Sequence, residues 1–244
     1  MARLPRLYAP DTPQLAQVGF ARPLALPSQP TPSGRLNVLA DWVKEAALNE
    51  KVAVHGWVLL NDRLILLATP PGPAHLSKVI QAVGRRYATR IQHGRVFDGR
   101  YRSALLQPGV WVLPALVWLE NLPVRLHYVD QAEQWPWSSA RLHTGHVATR
   151  NHAPWETSHR DYWAEGNTPF DRQAKYRQRL QIGLPPRQIM LIERAVFGQW
   201  ALGDDAFLQR MQMLSSRRVS PGSPGRPRKE APASTPAAAP SDEA

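Results

Sequence analysis

The chain has 244 residues, no cysteine, and 30 Lys and Arg against 19 Asp and Glu, a formal net charge of +11 at pH 7. The lack of cysteine excludes disulfides, thiolate catalysis and cysteine-based zinc sites. So basic a balance points to nucleic acid, because each Lys or Arg set on a phosphate releases counterions. Residues 1–11 carry arginines but no apolar core of signal-peptide length, and the most apolar later run, Val110–Leu119, is too short for a bilayer span and holds Pro114. These features predict a cytoplasmic protein with no membrane segment.

Residues 1–34 are proline-rich, with a weakly patterned strand over Gln14–Phe20 and a non-helical loop at Pro23, Pro27, Pro30 and Pro32. Leu36, Leu39, Val43 and Ala47 recur at helical spacing and predict a helix over Arg35–Leu48. Val52–Pro70 alternates, turns at Asn61-Asp62 and resumes as the apolar run Leu64–Ala68. That is a hairpin pattern, and its two-sided apolar character places it in the middle of the main domain. A second helix over His75–Gln92 lines up Leu76, Val79, Ile80, Val83 and Tyr87.

From Lys78 to Arg102 there are seven basic residues and one acid, Asp98. Phe97 and Tyr101 interleave with Arg95, Arg100 and Arg102 in a loop that enters a strand. A solvated face is the common fate of such a run. Aromatics among arginines favour DNA, with rings stacking on bases and guanidiniums on phosphates. Candidate DNA-binding residues are therefore Arg85, Arg86, Arg90, Arg95, Arg100 and Arg102. Val110–Leu122 reads as a third helix, ended by Pro123.

The order β, α, β, β, α, β, α predicts an α+β, ferredoxin-like domain over residues 1–145, an antiparallel sheet with helices on one face. Residues 146–166 read as a linker. Thr168-Pro169-Phe170-Asp171 reads as a capped helix start, with a stop at Gly183. Pro185-Pro186 starts a second helix and Asp204–Leu214 forms a third, giving a small helical extension over 167–214. This extension is either a reader of duplex DNA or a packing addition to the main domain. Residues 215–244 read as a disordered tail rich in Pro and Ala. Its Pro224-Gly225-Arg226-Pro227-Arg228-Lys229 resembles an AT-hook core, which adds Arg226 and Arg228 to the DNA-binding candidates.

Several segments, in order, resemble one family. They are the opening Arg3-Leu4-Pro5-Arg6, the hairpin, Ser77–Tyr87, Gly99-Arg100-Tyr101, Pro123-Val124-Arg125, and Trp135-Pro136-Trp137-Ser138-Ser139. The chain resembles the single-tyrosine transposases, most closely the REP-associated tyrosine transposases, across roughly residues 1–140. The resemblance implies a ferredoxin-like fold and a DNA hairpin with a single-stranded flank as partner. It also implies strand cleavage by a tyrosine on the third helix, with Mg²⁺ or Mn²⁺ held by two histidines of an Asn-His-x-His strand and a polar residue one turn after the tyrosine.

Here Asp62 and Leu64 stand at the histidine positions, Trp118 at the tyrosine and Leu122, beside Asn121, at the polar residue. Indole has no nucleophilic hydroxyl, and of these residues Asp62 at most offers oxygen to a metal. Alternation puts positions 62 and 64 on one face and Arg63 on the other. His55 is expected to pack and hydrogen-bond. The chain thus reads as a degenerate member that binds DNA without cutting it and uses no metal cofactor. Two alternatives remain: an active metal-dependent nuclease or transposase rearranged around Asp62 and another tyrosine, with Tyr101 and Tyr128 nearest, and an interaction module or relic without a specific DNA ligand.

Overall fold

The computed structural model describes residues 5–26, 29, 31–90, 94–146 and 155–222. Five strands, β1 (Gln14–Gly19), β2 (Ala53–Leu59), β3 (Arg63–Thr69), β4 (Arg102–Leu106) and β5 (Ala201–Leu202), form one sheet in the order β2-β3-β1-β4-β5. β1 pairs antiparallel with both β3 and β4, and β2 with β3. Helix α1 (Ser33–Asn49) crosses from β1 to β2, and α2 (His75–Arg90) from β3 to β4. This double split βαβ connection is the ferredoxin-like topology. The hairpin forms, but β1, the strand with the faintest pattern, takes the central place. Its neighbours on both sides bury Leu15, Ala16 and Val18.

Helices α1 and α2 pack on each other, and Phe20 at the end of β1 stacks on Tyr87 of α2. The opposite face carries α3 (Val112–Glu120) over β2, and α8 (Pro186–Gly198) over β4. Close packing of α3 depends on Gly56, where an added Cβ would fall 2.3 Å from Leu116 Cδ1. Pro123 does not end the third helix region. After Asn121 the chain makes one further turn, α4 (Leu122–Arg125), with Pro123 in its first turn, where no N–H is needed.

The outer edge of β2 is covered. Leu59 N–H donates to the Trp137 carbonyl at 2.9 Å, and Ser139 N–H to the Trp57 carbonyl at 2.9 Å. This use of Trp135–Ser139 shields an edge that would otherwise present free backbone groups. Helix α5 (Ala140–Thr144) follows. Residues 155–166, expected as part of a linker, lie along the same edge. Thr157 N–H donates to the Val54 carbonyl at 2.7 Å, Trp155 packs on Trp57, and α6 (Arg160–Trp163) buries Tyr162. Residues 147–154 lie outside the described residues.

Helix α7 (Pro169–Ile182) starts as its sequence predicts: Thr168 Oγ1 accepts from Asp171 N–H at 3.1 Å. Gly183, at φ 71°, closes it in a conformation that disfavours side chains. Helix α9 (Asp205–Met213) is capped by Asp204, which accepts from Phe207 N–H at 2.8 Å. Leu7, Leu105, Ala201, Phe207, Met211 and Val219 build a second, smaller core around β4 and β5. Val219 lies in the stretch expected as tail, yet it is buried, and its carbonyl accepts from Ala201 N–H at 2.7 Å. Residues 223–244, with Arg226 and Arg228, lie outside the described residues, as do Pro27 and Pro30. No described helix is long and apolar enough to cross a membrane.

Candidate nucleic-acid interface

Strand register decides which side chains meet. Gly56 faces α3 and pairs with Leu67. Counting back along β3, Ile65 and Arg63 share that face, while Leu64, between Val18 and Leu59, faces the α1/α2 side. The opposition of Arg63 to Leu64 holds, and Arg63 is the one on the α3 side. Asp62 precedes the first residue of β3, so alternation does not govern it. Its carboxylate turns to Arg63, accepting from Nε at 3.0 Å on both oxygens and from Nη2 at 2.5 Å on Oδ2. The expectation that positions 62 and 64 share a face therefore fails. The Asp62 hydrogen bonds raise the already high pKa of Arg63.

Asp62 and Arg63 open into a cleft of ≈ 460 Å³ at one end of the sheet. Gln17, Gly19, Arg63 and Arg102 come from neighbouring strands on one face, and Asp98, Gly99 and Arg100 come from the loop before β4. The Asp98 carboxylate packs against Gly19, where a Cβ would lie 2.8 Å from Asp98 Oδ2. Phe197 of α8 forms the wall, with Arg102 Cζ 5.5 Å from its ring centroid and Arg102 Nη1 3.4 Å from its carbonyl oxygen.

The other arginines divide. Arg85, Arg90, Arg95 and Arg100 are exposed and have no carboxylate partner among the described residues. Arg95 Nε donates to the Phe97 carbonyl at 2.9 Å. Arg86 is engaged: its guanidinium donates to both oxygens of Glu45 at 2.5 and 2.6 Å, joining α2 to α1. The aromatics expected to stack on bases are turned inward. Phe97 stacks on Phe20 with ring centroids 5.9 Å apart. Tyr101 is buried beneath Arg6, whose Cζ lies 3.6 Å from the ring centroid. The exposed ring in the cleft is Phe197, which counts in the sequence only as one more apolar residue of α8.

Trp118 lies elsewhere. Its buried indole donates to Glu193 Oε1 of α8 at 3.3 Å, and Arg125 Nη2 donates to the same oxygen at 3.0 Å. It lines a separate cavity of ≈ 290 Å³ between α3, α7 and α8, which shares no residue with the Asp62 cleft. Leu122 is buried in the core, and Asn121 Nδ2 donates to the Leu180 carbonyl at 2.8 Å. Tyr128 is partly exposed near the hairpin tip. Burial and the Asp62 charge raise its pKa, making it a poorer nucleophile, while Arg63 opposes the shift.

Mg²⁺ or Mn²⁺, which the sequence resemblance implies, does not fit these residues. Asp62 is closed on Arg63 and Leu64 faces away. No group of three or more His, Asp or Glu capable of holding a metal occurs among the described residues.

His55 stands at the irregularity in β2, with Nδ1 2.7 Å from the Thr157 carbonyl oxygen and Nε2 2.8 Å from Thr69 Oγ1. A buried polar cluster backs α3. Glu120 Oε1 accepts from Ser139 Oγ at 2.5 Å and His143 Nδ1 at 2.6 Å, and Oε2 accepts from Tyr176 at 2.7 Å.

No protein-family model matches the chain, and no curated protein matches it. Among solved structures it is similar to a REP-associated tyrosine transposase bound to a REP hairpin, at 12% identity and a TM-score of 0.49, over 65% of this chain and 92% of that one.

Proposed function

We propose that this protein is a DNA-binding protein of transposase-like fold that holds DNA through its exposed arginines and does not cleave it. One arrangement carries the reading: Asp62 closes on Arg63 in an arginine-lined cleft, while Trp118 sits in a different cavity with its indole on Glu193. Covalent strand cleavage needs a hydroxyl aligned on a phosphate, with charge stabilisation at the same point. Here the third helix offers an indole, and the carboxylate that would serve a metal is held by a guanidinium. What the cleft retains is cationic hydrogen-bonding capacity, which suits phosphate binding.

Arg85 and Arg90 on α2, across the sheet from the cleft, and Arg95 in the loop before β4 add further exposed positive charge, which supports a footprint longer than one phosphate. The order of motifs in the sequence supports a hairpin with a single-stranded flank as the preferred DNA.

The test is one labelled hairpin with a single-stranded flank, titrated over a salt series with Mn²⁺ or with chelator. The expected result is hairpin-preferring binding with no covalent adduct in either condition. A metal-dependent adduct would overturn the non-cleaving reading, and its loss in Tyr128→Phe would locate a relocated nucleophile. Binding that vanishes near physiological salt without preference for the hairpin would overturn the DNA reading itself.

A further inference from the structure

We propose that the cleft between the loop before β4 and α8 is a subsite for one nucleotide of a single-stranded DNA segment, its phosphate held by Arg100 and Arg102 and its base stacked on Phe197. The inference rests on the DNA-binding reading and specifies where, and through which chemistry, the unpaired strand is held.

Four observations carry it. The cleft measures ≈ 460 Å³, within the range of small-ligand pockets. Its cations are positioned by structure. Arg63 and Arg102 project from β3 and β4 on one face of the sheet, flanking β1, whose Gly19 presents no side chain between Arg63 and Asp98. Asp62 pairs with the Arg63 guanidinium through Nε and Nη2, which leaves Arg100 and Arg102 as the cleft cations without a carboxylate partner among the described residues. Finally, Phe197 is 49% exposed although it belongs to a helix packed on the sheet, and it lines this cleft beside Arg102. A ring left open beside a guanidinium is the pairing that holds unpaired bases: the ring stacks on any base while the cation takes the backbone. Duplex DNA cannot use it, because its bases are already stacked.

With Arg63 filling the carboxylate of Asp62, the cleft carries its own positive charge, and strand binding here needs no divalent cation. Asp98, the other carboxylate in the cleft, lies against Gly19 and repels a phosphate placed directly over it, which directs the phosphate toward Arg100 and Arg102.

The experiment uses the full chain and two fluorescent probes, a short oligothymidylate and a blunt duplex, in chelator and again in Mn²⁺. Phe197→Ala is expected to weaken oligothymidylate binding about 5- to 150-fold, the worth of one base–aromatic stack, and to leave duplex binding unchanged. Arg102→Gln is expected to weaken it similarly and to reduce its salt dependence by about one phosphate contact. Affinity of the unaltered protein is expected to be equal in chelator and Mn²⁺. Both residues are exposed, so the variants should keep the parent's thermal midpoint, which is checked first.

If the unaltered protein binds neither probe, the DNA reading fails and this inference with it. If it binds oligothymidylate and both variants bind equally well, only the cleft assignment falls. Competition by inorganic phosphate alone as effective as competition by thymidine oligonucleotide would overturn the strand assignment and leave a simple anion site.

Discussion

At the scale of single residues, burial sets the consequences of change. Glu120 is fully buried and serves three donors from β2's covering segment, α5 and α7, so it ties the C-terminal helices to α3. Glu120→Ala strands those donors in the interior and is expected to cost about 3–5 kcal/mol in urea unfolding. Tyr176→Phe removes one bond to a charged acceptor and should cost about 1.5–3 kcal/mol. If both variants unfold at the parent's midpoint, the cluster does not hold the helices. His55 gives a pH signature. Burial pushes its pKa down from 6.5 to about 4, with the Thr157 carbonyl opposing and His159 adding to the shift. The unfolded chain binds the proton first. The contribution is therefore complete above pH 6.5 and is lost as pH falls from 6.5 toward 4, up to about 3 kcal/mol over that window. His159, also depressed by burial and opposed by Asp161, adds in the same direction. Replacing His55 with Gln should flatten the slope of stability against pH between those limits; an unchanged slope would assign it to other groups.

At the scale of elements, α3 is positioned by what β2 lacks. A methyl at Gly56 would clash with Leu116 Cδ1 and lie 3.3 Å from Ser139 Oγ, so Gly56→Ala must displace the Leu116 side chain from its seat between α3 and the sheet. The expected cost is about 1–3 kcal/mol, with altered near-ultraviolet dichroism from Trp118 while far-ultraviolet dichroism is kept. Elements of this kind differ in how far the sequence shows them. The hairpin, the Thr168 cap and the Gly183 stop are local chemistry, readable from a few adjacent residues, and all three form. The two-residue β5 has no local signal: it exists because it lies parallel to β4, far away in sequence. The side chain that β3 turns toward α3 was hidden for another reason. One residue more or less in the turn inverts every side chain of a strand, and only the register with β2, where Gly56 faces α3, shows that Arg63 faces α3. Phe197 was equally silent, since an apolar residue on α8 reads as core until the cleft beside it is known.

At the scale of the whole molecule, a charge of +11 predicts attraction to DNA without saying which cations provide it. Packing sorts them, and α2 supplies an internal control. Arg85 and Arg86 are adjacent in sequence and equal in charge, yet Arg86 is held by Glu45 while Arg85 extends into solvent. Exposed pairs such as Arg86–Glu45 add little to stability, so neutralising either arginine should leave the fold intact. A cation that contacts phosphate contributes about 0.7–0.9 to the slope of log affinity against log salt, and one already neutralised by a carboxylate releases no counterion. Arg85→Gln, Arg90→Gln and Arg95→Gln together should therefore flatten that slope by about two to three units. Arg86→Gln should leave it unchanged, and Arg226→Gln with Arg228→Gln should lower it by a further one to two units if the tail engages the same DNA. Equal effects of the Arg85 and Arg86 substitutions would mean that net charge alone draws the DNA. Unequal effects would mean that the fold has chosen which arginines face it.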